Sequence, residues 1–129
     1  MPEKIAVHHT DSAPTAIGPY AQAVSYNGLL FTSGQIGLDP KTGALVTGGF
    51  EAEARQVLAN LHAVLAQAGL GFADVLKATV FIVDFADFSQ LNVLYGEAMG
   101  KHRPARTTVQ AAALPKGARL EIDLVARLR

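Results

Sequence analysis

Between residues 50 and 68, apolar side chains fall at Ala54, Val57, Leu58, Leu61, Val64, Leu65 and Ala68. Steps of three and four residues line them along one face of a helix, a pattern that no extended strand presents on one side. Gly69 follows, the residue type that most readily adopts the left-handed turn closing a helix. Such a stripe needs an apolar surface to pack on, so the rest of the chain must supply one.

Two stretches can do so. LKATVFIVD, residues 76–84, is short and β-branched, apolar on both alternating faces around Val80 and Val83, which predicts a strand covered on both sides. Residues 119–128 alternate strictly. Leu120, Ile122, Leu124, Ala126 and Leu128 share one face, while Glu121, Asp123, Val125 and Arg127 take the other.

Further elements follow from local chemistry. AVSYNGLLFTSG places Asn27-Gly28 between two β-prone runs, the preferred pair for a type I′ hairpin turn. Asp84, with Asp87 three positions on, suits the cap and acidic first turn of a second helix. Its apolar stripe is Phe85, Phe88, Leu91, Leu94 or Tyr95, and Met99, and Arg103-Pro104 ends it. Residues 105–111 form another strand, joined to the last one by LPKG turn chemistry, and residues 4–7 offer an extra strand. DSAPTAIGPY, rich in Pro and Gly, reads as a loop, and GQIGLDPKTGALVTGG as a long loop or loose hairpin. The order β-β-α-β-α-β-β predicts an α+β fold, a mixed sheet covered on one face by two helices. No repeat, low-complexity tract or linker divides residues 1–129, so one domain is expected.

Composition bears on the uncovered face. Half of the 129 residues are hydrophobic and only 17% are charged, which is apolar for a small domain. Another subunit is therefore expected on that face. Eleven basic and eleven acidic residues give zero formal charge, which argues against a nucleic-acid footprint. The absence of cysteine excludes disulfides, thiolate metal sites and cysteine nucleophiles. MPEKIAVHHT lacks an apolar signal region, and no apolar run approaches the ~18 residues of a membrane span, so the cytosol is expected.

In ARTTVQ the two-residue period puts Arg106, Thr108 and Gln110 on one face. Arg106 and Glu121 thus both project from polar strand faces. They are either ordinary charges on a wetted sheet, or a guanidinium fork for a ligand carboxylate with an acid that handles a proton or a water. If LPKG centres a hairpin, Arg106 lies opposite Ala126, and ~5 residues, on the order of 15 Å, separate it from Glu121. A register slip, a bulge or a meeting across subunits would be needed to join them. His8, His9, His62 and His102 show no metal-ligand spacing beyond the adjacent pair. TSGQIG lacks a nucleophile elbow, although Ser33 and nearby backbone N–H groups could face an anion. The glycines match neither dinucleotide nor P-loop fingerprints, and Tyr20 reads as packing or a pocket wall.

Taken together, IGPYAQAV, LLFTSGQIGLDPKTG, EARQVLANLHAVLAQAGLGFADVLKATVFIVDFADFSQLN, RPARTTV and LPKGARLEIDLVA resemble the Rid (RidA/YjgF) family of reactive intermediate deaminases over residues 13–128. The resemblance implies a chorismate-mutase-like fold and a homotrimer with ligand sites between subunits. It implies that Arg106 anchors a substrate carboxylate and that Glu121 positions the attacking water. Tyr20, Ser33, Gly34 and Asn92 match further pocket positions. Thr108 stands where the family often has cysteine, which removes any thiol-dependent side activity. The implied reaction is hydrolysis of enamine/imine carboxylates such as 2-aminoacrylate and 2-aminocrotonate to 2-keto acids and ammonia, with no metal or organic cofactor. Two alternatives keep the fold: a trimer that binds small keto acids without turnover, and a deaminase specialised for one pathway substrate.

Overall fold

The computed structural model describes residues 3–129. Six strands form one sheet: β1 (Ala6–His8), β2 (Ala23–Tyr26), β3 (Leu29–Thr32), β4 (Val75–Ile82), β5 (Ala105–Gln110) and β6 (Leu120–Arg127). Their spatial order is β1-β2-β3-β6-β4-β5, and only β4 and β5 run parallel. Helices α1 (Gly49–Gln67) and α2 (Phe88–Met99) pack on one face, as the stripe requires. The mixed α+β architecture expected from the sequence is the one observed.

Local chemistry places the ends. Asn27 (φ 52°) and Gly28 (φ 80°) both adopt left-handed backbone, which a type I′ turn demands. Gly69 (φ 76°) closes α1, and the next residue's N–H reaches back to the Leu65 carbonyl at 3.0 Å. Asp84 caps a 3₁₀ turn (Phe85–Asp87), its carboxylate accepting from the Ala86 N–H at 2.8 Å. The second helix therefore starts a turn later than its acidic entry suggests. The extra strand lies at Ala6–His8, two residues beyond its expected place.

Two expectations are corrected. The last two strands do not form a hairpin: β6 pairs with β3 and β4, and β5 pairs with β4 alone. LPKG does turn the chain, as a 3₁₀ turn (Pro115–Gly117), but β4 lies between the strands it joins. The reason is that β4, α2 and β5 make a crossover unit, which brings β5 back parallel to β4 on its outer side. Nor is β4 covered on both sides. Ala78, Val80 and Ile82 are fully buried beneath the helices, whereas Lys77, Thr79 and Phe81 are half-exposed on the other face.

The core is built from Val57, Leu61 and Leu65 of α1 with Leu120, Ile122 and Leu124 of β6, all at most 1% exposed. Removing one such leucine side chain costs about 2–5 kcal/mol, so this layer fixes the sheet that carries the site.

Candidate functional site

The register decides where the two charged candidates stand. Ala78 is flanked by Leu124 on one side and Arg106 on the other, so Arg106 projects from the helix-covered face. Phe81 is flanked by Glu121 and Val109, so Glu121 projects from the open face. The two are also two strands and three residues apart, on the order of 14 Å between backbones. In one chain the two therefore face opposite ways, and no register slip or bulge joins them.

Glu121 stands at a cleft of about 360 Å³ on the open side. Tyr20, Ser33 and Gly34 line the same cleft, so these four of the sequence candidates come together. The TSGQ segment is clamped from both ends. The Ser33 N–H donates to the Gln22 carbonyl at 2.9 Å, and Gln35 exchanges backbone hydrogen bonds of 2.9 and 3.1 Å with Ile122. Gly34, between them, is held directly against the acid. A Cβ at Gly34 would fall on Glu121 Oε2 and lie 2.8 Å from its Cδ, so the absence of a side chain is what admits the carboxylate. Ser33 Oγ donates to the Ala21 carbonyl at 2.6 Å, which leaves its lone pairs to accept from a ligand N–H. Burial, then the charge of Asp123, pushes the Glu121 carboxyl above its usual value of 4.5. This acid is set up to exchange a proton in a partly dry site.

Arg106 occupies a second, separate ledge at the sheet edge. Its Nη2 donates to Asn92 Oδ1 at 2.7 Å, and its guanidinium lies 4.8 Å from the Tyr95 ring centre and 5.8 Å from that of Phe88. Phe88, Asn92 and Tyr95, at helical spacing on α2, hold the planar group by both stacking and hydrogen bonding. A guanidinium has five N–H donors, and the one to Asn92 leaves donors for a carboxylate. Thr108 shares this strand face. Its hydroxyl and that of the buried Tyr95 have no hydrogen-bond partner among the described residues. Two orphaned hydroxyls in the neighbourhood of a cation mark an incomplete polar site.

Some of these residues escaped the sequence reading. Phe88 and Tyr95 were visible only as members of an apolar stripe, and their closeness to Arg106 depends on the β4-α2-β5 crossover. Lys116, which also lines the cleft, was seen as part of a turn. Its left-handed backbone (φ 57°), unusual for a lysine, emerges only from the structure. No group of three or more His, Cys, Asp or Glu suited to a metal occurs among the described residues.

Comparison with known proteins bears on the family and the fold. The family model described as Endoribonuclease L-PSP matches residues 10–128. The human 2-iminobutanoate/2-iminopropanoate deaminase is 48% identical, over 91% of this chain and 85% of its own length. Protein DfrA of Myxococcus xanthus is also 48% identical, over 92% of each chain. Among solved structures, the Rid family protein YyfA of Yersinia pestis superposes with a TM-score of 0.94 at 46% identity, covering 97% of this chain and all of its own. Fold, motifs and relatives agree, and the chain belongs to the Rid (YjgF/RidA) family.

Proposed function

We propose that this protein is an enamine/imine deaminase of the cytosol that releases 2-keto acids and ammonia from 2-aminoacrylate, 2-aminocrotonate and their imine tautomers. The observation that carries the reading is the division of the site. A carboxylate fork with spare donors stands on one face, and an acid in a cleft stands on the other. Each is half of what a small imino acid needs, and two copies of the chain supply both halves at one junction.

The open face supports such an assembly. Val7, Val24, Phe31 and Val125 are direct cross-strand neighbours on it, and Val7 and Phe31 are 72% and 41% exposed. An apolar row of that kind suits a subunit interface. We take the assembly to be a homotrimer, the closed ring in which each junction joins the Glu121 cleft of one subunit to the Arg106 ledge of the next.

In that site Arg106, held flat by Asn92, Phe88 and Tyr95, binds the substrate carboxylate through its free N–H edge. Ser33 Oγ accepts from the imine nitrogen, and the Thr108 region borders the carboxylate. Glu121 takes a proton from water as the oxygen adds to the imine carbon. That proton is returned to nitrogen to give the carbinolamine. Glu121 then takes the hydroxyl proton as the carbonyl forms and passes it to nitrogen, so that the C–N bond breaks and the 2-keto acid and ammonia leave. Such imines hydrolyse unaided, so an acceleration of ~10²–10⁴, about 3–5 kcal/mol, is within reach of positioning and one acid–base group. No step calls for a metal or an organic cofactor.

The test is keto-acid release from 2-aminoacrylate generated in situ by a pyridoxal-phosphate dehydratase. The wild type should exceed the spontaneous rate, and Arg106→Ala and Glu121→Ala should return to it. A wild type that binds 2-oxobutanoate yet never exceeds the spontaneous rate would leave only a keto-acid-binding protein.

A further inference from the structure

The wall of the Glu121 cleft opposite the TSGQ segment comes from residues 10–20, a stretch without helix or strand. Its apolar tip is exposed, with Ile17 at 71% and Tyr20 at 51%, and both residues line the cleft. A loop of that length would ordinarily be mobile, because few of its backbone groups are paired. Here one buried side chain supplies much of the pairing.

Gln22, 3% exposed, sits just ahead of β2 and reaches back across the loop. Its Oε1 accepts from the Thr10 N–H at 2.8 Å. Its Nε2 donates to the carbonyls of Thr10 at 3.0 Å and Pro14 at 2.8 Å, with Ala13 further off at 3.4 Å. The donors and acceptors on this loop fix which way the amide faces, since two or more carbonyls must meet NH₂ and an N–H must meet oxygen. The main chain of the same residue holds the opposite wall, because the Gln22 carbonyl accepts from the Ser33 N–H. One residue therefore ties both sides of the cleft to a common point, while Glu121 is carried independently by β6.

We propose that Gln22 is a positioning residue for the cleft: its amide pins residues 10–14 so that Ile17 and Tyr20 close over a bound small carboxylate. This inference rests on the ligand site proposed above, and it adds a division of labour. Chemistry belongs to Arg106 and Glu121, and capture of the ligand depends on a wall that Gln22 preorganises. Loss of the amide should weaken binding far more than it slows the bound substrate.

Gln22→Met keeps the length and apolar bulk of the side chain and removes all its hydrogen bonds. Three readouts follow from it: amide hydrogen exchange across residues 10–20, the Kd for 2-oxobutanoate, and the split between KM and kcat. Exchange should quicken in that segment and not in β4 or β6, Kd and KM should rise at least about tenfold, and kcat should change less than about threefold. Unchanged exchange at residues 10–20, or a Kd within about twofold of wild type, would overturn the proposal. The wild type gives a second test that requires no variant to fold: saturating 2-oxobutanoate should slow exchange in residues 10–20, and no slowing there would also overturn it. A wild type that binds no 2-oxobutanoate contradicts the proposed function instead, and the exchange of free Gln22→Met still decides whether the amide holds the wall.

Discussion

The two faces of one sheet obey the same alternation and reach opposite ends. On β6, Leu120, Ile122, Leu124 and Ala126 are all at most 1% exposed beneath the helices, while Glu121, Asp123 and Val125 between them are only half-buried. Over β6 the helix-covered face is finished within the chain: the α1 stripe packs on it and its apolar area is removed from water. The open face is not finished. It carries an apolar row, a cleft and an acid whose carboxyl is already pushed up by partial burial. The difference teaches that stability is concentrated on the covered side of the sheet, whereas the cleft and its acid lie on the open side and Arg106 stands at the edge strand of the covered one.

The sharpest way to break that comparison is to damage each face in turn. Leu124→Ala on the covered face should cost about 2–5 kcal/mol in denaturant unfolding, because it leaves a cavity under α1. Phe31→Glu on the open face should leave the secondary structure by circular dichroism intact and dissociate the assembly in analytical ultracentrifugation. A well-folded oligomer carrying Phe31→Glu would show that this face is not the interface.

A smaller effect sharpens the account of the cleft. Gly34→Ala should cut deaminase activity by about tenfold or more, near 1.4 kcal/mol, since the new methyl group displaces the Glu121 carboxylate. Melting temperature should scarcely move, because the displaced group lies at a cleft and not in the core. Full activity in Gly34→Ala would mean that the carboxylate need not stand where it does.

The smallest effect lies where the end of β6 meets the 3₁₀ turn Phe72–Asp74. Asp74, buried beside the chain end, accepts from Arg127 Nε and Arg129 Nη2 at 3.2 and 2.8 Å. Hydrogen bonding from Arg129, then from the Gly71 N–H, lowers its pKa from 3.8 to about 2. A carboxylate with a depressed folded-state pKa stabilises the fold above its unfolded value and loses that contribution as pH falls through the folded one. The contribution should therefore be complete above 3.8 and fade towards about 2. Both arginine side chains are 64% exposed, so solvent screens the pairs. Asp74→Asn should lower the melting temperature by only a few degrees at neutral pH, and the gap from wild type should narrow in acid. An equal gap at both pH values would assign the effect to packing alone.

Much of this was legible in the sequence, for identifiable reasons. The α1 stripe, the Asn27-Gly28 turn and the alternation of β6 each report a local period or a backbone conformation, and each appears as read. What periodicity cannot report is which strands are neighbours. LPKG looked like a hairpin centre, and only the crossover through α2 shows why β5 lies outside β4 and why β6 inserts between β3 and β4. The opposite outlook of Arg106 and Glu121 follows from that order and was hidden for the same reason. Gln22 left no signal at all, because its hydrogen bonds run to backbone atoms whose positions depend on the folded loop.

The central claim is that one active site draws Arg106 and Glu121 from different subunits, and complementation tests it most directly. On this account Arg106→Ala and Glu121→Ala should each be inactive on their own. Refolded together in equal amounts, they should regain about a quarter of wild-type deaminase activity, the share of junctions at which an intact Glu121 cleft meets an intact Arg106 ledge. A mixture that forms mixed assemblies and stays inactive would contradict the account and place both groups in a site within one chain.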